Sequence, residues 1–246
     1  MTKTTSGPIE VGPHGRAPIA VALDAQDLAQ AVHWAAAVAP SVAALKVGLQ
    51  SYLRDGAAGV EAVLAAAVER VDDAPALFLD LKLHDIPNTV AGAAQSVAHL
   101  APAILTVHAL GGPDMVSAAA QELPDTRIAA VTILTSMDAA ALAATGIAGT
   151  PRDAVRRLAA MAVAAGARAL VCSPLEVADV RAEVGSDVVL ITPGVRPAEA
   201  SVGDQKRVAT PQAALAAGAD LLVIGRPITA AADPGAAAAA IAAGIT

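Results

Sequence analysis

The strongest constraint in this sequence is a repeated alternation. Short apolar runs with β character stand at 19–23 (IAVAL), 43–47 (AALKV), 76–81 (ALFLDL), 103–107 (AILTV), 128–134 (IAAVTIL), 168–172 (RALVC), 188–192 (VVLIT) and 221–224 (LLVI). Between and after them lie Ala-, Leu- and Val-rich stretches with helical spacing, punctuated by Gly, Pro, Asp or Ser, at roughly 27–38, 52–70, 89–99, 113–121, 152–165, 175–184, 211–217 and 235–243. Strands that do not alternate apolar with polar residues are buried on both faces, which implies a parallel sheet covered by helices. Eight strand-helix units predict an α/β fold, a single-domain (β/α)8 TIM barrel over residues 18–246. Residues 1–17, polar and rich in Gly, Pro and Thr, read as a flexible lead-in. Spacing alone leaves a doubly wound open sheet as the alternative, because short apolar runs can miscount strands by one or two.

In such barrels the chemistry sits at the C-terminal ends of the strands and in the loops that follow. The polar residues there are Asp24, Lys46, Asp80, Lys82, His108, Thr135, Ser136 and Arg226. The densest group is Asp80-Leu81-Lys82-Leu83-His84-Asp85-Ile86-Pro87-Asn88-Thr89. In extended backbone Asp80 and Lys82 point to the same side. A lysine beside a carboxylate stays protonated, so Lys82 is a candidate proton donor rather than a nucleophile. An ordinary ion pair at a strand end is the plain alternative, and Lys46 on the neighbouring strand weighs against it, since converging buried charges are costly to desolvate.

A second group lies late in the chain: Thr192-Pro193-Gly194-Val195-Arg196, Gly203-Asp204-Gln205 further along the same loop, and Ile224-Gly225-Arg226-Pro227. Barrels commonly hold a phosphate between the loops after strands 7 and 8, where Gly225 admits a close backbone and Arg226 offers a bidentate donor. A surface glycine-arginine turn is the competing reading. Thr135-Ser136 suits either a helix cap or hydrogen bonds to a planar ring. His84, His108, Asp24 and Asp80 could in principle ligate a metal, but the nearby lysines would repel a divalent cation and no HxH or HExxH spacing is present, so no metal is expected. Cys172 reads as a core residue, Trp34 as helix packing, and His14, His33 and His99 as tail, surface or packing positions.

Composition excludes several classes. With 1% aromatic residues and a formal charge of −7 there is neither a stacking platform nor a basic groove, so nucleic-acid binding is not expected. No apolar run is long enough to span a bilayer and the N-terminus has no apolar signal core, so no membrane partner is expected. A single cysteine fits a reducing cytoplasm.

The assembled segments resemble the orotidine 5′-phosphate decarboxylase family. The likeness runs through Ala22-Leu23-Asp24, Leu45-Lys46-Val47-Gly48, FLDLKLHDIPNT (78–89), Val107-His108-Ala109, ILTSMD (133–138), VCSP (171–174), TPGVRP (192–197), GDQKRVATP (203–211) and VIGRPIT (223–229), in order from about 19 to 235. It implies decarboxylation of orotidine 5′-monophosphate to UMP in pyrimidine biosynthesis, without metal or organic cofactor. It further implies a charge array of Lys46, Asp80, Lys82 and Asp85, with Lys82 protonating C6 and Asp80 against the substrate carboxylate. By the same likeness Asp24 and Lys46 hold the ribose hydroxyls and Thr135 and Ser136 face the pyrimidine. Pro193, Arg196, Gln205, Gly225 and Arg226 hold the phosphate. The family is a homodimer, so Asp85 and Thr89 are expected to reach the partner's site, and the 193–206 segment is a candidate lid. Gln50 stands where the family usually has an acid, a change expected to affect only the outer part of that helix, and Leu83 where it often has an aromatic, a change of packing rather than chemistry.

Two further readings keep the barrel. One is a divalent-metal enzyme acting on sugar phosphates, resembling hexulose-phosphate synthases through the D-x-K-x-x-D core, against which Ile86-Pro87-Asn88-Thr89 argues. The other is a non-catalytic phosphate-ligand sensor, which would have no reason to retain four charged residues at the mouth.

Overall fold

A computed structural model of the chain describes residues 16–71, 73–197 and 209–245. The strands are β1 (Ala17–Ala22), β2 (Val42–Gly48), β3 (Ala76–Leu83), β4 (Ile104–His108), β5 (Arg127–Val131), β6 (Ala169–Val171), β7 (Val189–Thr192) and β8 (Leu221–Ile224). All pairings are parallel, in sequence order, and β1 pairs with β8, so the sheet is a closed barrel. This decides between the closed barrel and the open sheet.

Every strand buries both faces, which is why the runs are apolar throughout. One set of side chains, including Ala20, Ala44, Phe78, Ile104, Ala129, Ala169, Ile191 and Leu221, forms a cluster of its own. The residues between them, such as Ile19, Val21, Leu45, Leu79, Leu105, Ile128, Leu170 and Leu222, belong to a second, larger cluster shared with the helices. Phe78 fills the first cluster because its neighbours there include small alanines, a large-against-small arrangement suited to a narrow barrel.

The helices are α1 (Leu28–Val38), α2 (Leu49–Val68), α3 (Pro87–Val97), α4 (Pro113–Glu122), α5 (Ala139–Ala144), α6 (Pro151–Ala164), α7 (Val177–Val184), α8 (Pro211–Ala216), α9 (Arg226–Thr229) and α10 (Pro234–Ala243). Their starts follow local chemistry. The side chains of Asp27, Asp138, Thr150, Thr210 and Asp233 each accept a backbone N–H of the first turn, and prolines open α3, α4, α6, α8 and α10, where no intrahelical donor is lost.

Four expectations change. The second helix is expected at 52–70, but α2 starts at Leu49 and breaks at Gly56, whose φ of 62° only glycine adopts readily. The fifth strand is expected to run to Leu134 but ends at Val131, where Thr132 turns its N–H and its hydroxyl onto the Val171 carbonyl. Helices α5 and α9 have no counterpart in the helical spacing, since one is a single alanine block and the other a single turn. The lead-in is expected through residue 17, yet Ala17 already belongs to β1, and buried Arg16 donates to the Asp73 carbonyl. Residues 1–15, with His14, lie outside the described residues.

Candidate active site

The C-terminal ends of the strands surround a cavity of about 570 Å3. On one side stand Asp24, Lys46, Asp80 and Lys82, from β1, β2 and β3 or just beyond them. On the other stand Pro193, Arg196, Gly225 and Arg226, with Thr135 and Ser136 between, so most of the expected site residues share one cavity.

Asp80 is the centre of the charge array. Its Oδ2 accepts Lys46 Nζ at 3.1 Å, and its Oδ1 accepts Lys82 Nζ at 2.7 Å. Lys46 Nζ also lies 3.6 Å from Asp24 Oδ1. Side-chain exposure grades outward, from 7% at Lys46 and 13% at Asp80 to 37% at Lys82 and 51% at Asp24. Burial opposes the charge on Asp80, but the two ammonium groups and the hydrogen bonds they donate outweigh it and hold this carboxyl below its usual range. Asp80 is therefore a permanent anion at neutral pH, and a half-exposed ammonium faces the cavity beside it.

The backbone at Lys82 is unusual. In an ideal strand Asp80 and Lys82 share a side, but Lys82 takes φ 50°, a left-handed conformation that costs a residue with a Cβ on the order of 1–3 kcal/mol. The β3–β4 register is irregular there, passing from Leu79↔Leu105 to Leu83↔Val107. The expected proximity of Asp80 and Lys82 holds, but it is reached through a bulge. Thr106, absent from the sequence-based set, lies between them: its hydroxyl accepts the Lys82 backbone N–H at 2.8 Å and donates to Asp80 Oδ1 at 3.0 Å. A lone hydroxyl inside the otherwise apolar run AILTV was the signal that could have found it.

His108 ends β4 and stacks on His84, ring centroids 5.4 Å apart. Burial, then the nearby His84 and Lys82, push His108 below the ordinary imidazole range. Its Nδ1 accepts the Leu110 N–H at 3.3 Å, which leaves the proton of the neutral ring on Nε2. Cys172 lines the cavity, but burial pushes its thiol up to about 12, so it is a small apolar wall and not a nucleophile. Trp34 packs on the core as expected, and His33 and His99 are exposed.

Thr135 and Ser136 line the cavity and do not cap the following helix; Asp138 does that. Arg196 is buried at the end of a short parallel bridge, Val195↔Ala209, and its N–H donates to the Ala209 carbonyl. The bridge holds together the two ends of the segment that contains Gln205, which itself lies outside the described residues, as does most of the candidate 193–206 lid. Gly225 approaches β1, where a Cβ would stand 3.5 Å from Ala22 Cβ. Asp85 and Thr89 do not line the cavity. Both are exposed, and Asp85 accepts its neighbour Ile86 N–H at 2.7 Å in a separate shallow depression with His84, Ile86, Pro87, Leu110 and Gly111.

Fold and site together define a (β/α)8-barrel enzyme whose mouth brings a lysine-aspartate-lysine line and two arginines into one cavity. Residues 17–241 match the Orotidine 5'-phosphate decarboxylase / HUMPS family, and the chain belongs to it. It is 73% identical over 227 residues to an "Orotidine 5'-phosphate decarboxylase" of Thermobifida fusca, covering 92% of this chain and 95% of that one. It is 58% identical over 255 residues to one of Frankia casuarinae, covering 99% and 93%. Among solved structures, the crystal structure of orotidine 5'-phosphate decarboxylase from Lactobacillus acidophilus superposes with a TM-score of 0.80 at 34% identity, over 94% of this chain and 99% of that one.

Proposed function

We propose that this chain decarboxylates orotidine 5′-monophosphate to UMP in pyrimidine biosynthesis, with no metal or organic cofactor, and that Lys82 delivers the proton to C6. The observation that carries this reading is the Lys82 ammonium, held 2.7 Å from a permanent Asp80 anion at the edge of the cavity. When the bond from C6 to the carboxylate carbon breaks, the electron pair stays on C6 in the ring plane, where the ring cannot delocalise it. A fixed ammonium near C6 stabilises that developing carbanion more than the ground state, then transfers a proton to it as carbon dioxide leaves. The substrate carboxylate would lie against Asp80, like charge to like charge, which favours its departure. Lys46 compensates Asp80 from the buried side, so the array stays charged without a metal.

The remaining contacts are the ones the resemblance to the family implies. Asp24 and Lys46 hold the ribose hydroxyls, Thr135 and Ser136 meet the pyrimidine, and Pro193, Arg196, Gln205, Gly225 and Arg226 hold the phosphate. Phosphate binding remote from C6 supplies free energy that orients the ring. The chain works as a homodimer in which Asp85 and Thr89 complete the partner's site. Supporting this, Asp85 is exposed and does not line its own cavity but a separate depression with Ile86 and Leu110, whose exposed apolar side chains a partner would cover. The cytoplasm fits its one cysteine, buried and free; no helix among the described residues is long and apolar enough to cross a membrane.

The test is the loss of ultraviolet absorbance of orotidine 5′-monophosphate on adding purified protein after exhaustive EDTA treatment. Turnover is expected. Inactivation that a divalent ion reverses would make the decarboxylation metal-dependent, and absence of turnover with or without a divalent ion would favour the sugar-phosphate chemistry that the same barrel core can support.

A further inference from the structure

The hydrogen bonds around Lys82 close into a ring. The Lys82 backbone N–H donates to Thr106 Oγ1, Thr106 donates to Asp80 Oδ1, and the same Asp80 oxygen accepts Lys82 Nζ. The lysine is thus tied at both ends, at its main chain and at its ammonium, through one hydroxyl and one carboxylate oxygen. Thr106 is fully buried, its hydroxyl proton is committed to Asp80 and its oxygen to Lys82, so it holds the frame and does not touch a ligand.

The frame answers a specific problem. Four residue steps on β3, Leu79 to Leu83, are matched by two on β4, Leu105 to Val107, and Lys82 takes up the difference with φ 50°. A left-handed lysine persists only where its surroundings over-determine it. A lysine also carries its charge on a long flexible stem, which without restraint samples many positions of the ammonium. The β-branched threonine, with its restricted χ1, is suited to fix both at once.

We propose that Thr106 is a positioning residue for the decarboxylation: its hydroxyl locks the left-handed backbone at Lys82 and the Asp80 carboxylate into one frame, so that the ammonium meets C6. This rests on the assignment of Lys82 as proton donor above. The phosphate contacts lie elsewhere, and Lys46 meets the other oxygen of Asp80, so the frame bears on the chemical step more than on ground-state binding.

The experiment compares Thr106→Val, which keeps the shape and removes the hydroxyl, with Thr106→Ser, which keeps the hydroxyl. In Thr106→Val, kcat is expected to fall about 10- to 100-fold while KM stays within about threefold, since small misplacement of a reacting group costs that much. The Lys82 amide should exchange its hydrogen at least about tenfold faster once its acceptor is gone. The acid limb of the kcat profile should move to higher pH, because Asp80 loses a donor to its charged form. Thr106→Ser should recover kcat to within about threefold of the parent with a protected Lys82 amide. Should Thr106→Val not fold, Thr106→Ala against Thr106→Ser makes the same comparison. Parent-like kcat in Thr106→Val, unchanged Lys82 amide protection, or a folded Thr106→Ser as slow as Thr106→Val would each overturn the proposal. A parent protein that fails to decarboxylate at all would instead overturn the functional reading on which it stands.

Discussion

Lys46 reaches Asp80 across the register of the barrel: its Cα pairs with Phe78, while Asp80 pairs with Gly48, yet Lys46 Nζ lies 3.1 Å from Asp80 Oδ2. The long side chain climbs one pleat step toward the mouth, through space that a side chain at Gly48 would occupy. The buried half of the charge array therefore depends on a glycine that carries no charge.

That dependence gives a first prediction. A Cβ at Gly48 would stand 2.6 Å from Asp24 Oδ1 and 3.1 Å from Lys46 Nζ, both far ends of flexible side chains. Gly48→Ala should therefore fold, with Tm within about 3 °C of the parent, and lose about tenfold in kcat/KM as Asp24 and Lys46 shift. Parent-like kcat/KM in the folded variant would mean that the pair has room to spare.

The second prediction isolates the proton donor. Lys82→Ala should lower kcat by at least about a thousandfold, near the upper range of what a positioned acid supplies. UMP binding, measured by titration calorimetry, should change little, because the ribose and phosphate contacts belong to other residues. Retained turnover would assign the proton to another group.

The third concerns pH. His108 is held below its ordinary 6.5, chiefly by burial, so an unfolded chain takes up a proton that the folded chain refuses. Its contribution to stability is present above 6.5 and is lost as pH falls from there through the depressed folded value. Asp80 has the same sign lower on the scale, its contribution present above 3.8 and lost as pH falls through its own depressed value. Tm should therefore drop between about pH 7 and about pH 5, and drop less in His108→Asn, whose side-chain oxygen can still accept the Leu110 N–H. Equal slopes in parent and variant would show that His108 is not the group responsible.

The same residues show what the sequence makes legible. All eight strands stand close to where the apolar runs put them, since burial on both faces writes β3 or β4 as continuous apolar text with charges only at the mouth. Asp80, Lys82, Lys46 and Arg226 are visible because charges are rare at the ends of such runs. Thr106 shows only as a lone hydroxyl in an apolar run, because the bulge that makes that hydroxyl matter is a register relation between two strands, and no spacing within either strand encodes it. Helix α5 was hidden for a different reason: AAALAA has no polar face to give it a period, and its start is set by the single cap Asp138.

The last prediction concerns assembly, where the single chain leaves Asp85 and Thr89 exposed, away from the cavity holding Lys46, Asp80 and Lys82. Pro87 opens α3 and Ile86 is extended before it, so the chain leaves the mouth directly after the charged segment. In a two-fold dimer each site would then combine Lys82 of one barrel with Asp85 of the other. Lys82→Ala and Asp85→Ala proteins should each be inactive alone. After subunit exchange, a mixed dimer has one site carrying both defects and one carrying neither, so up to about half of its sites should recover activity. Absence of recovery, with exchange demonstrated by mass spectrometry, would mean that each barrel completes its own site and that Asp85 acts, if at all, within its own chain.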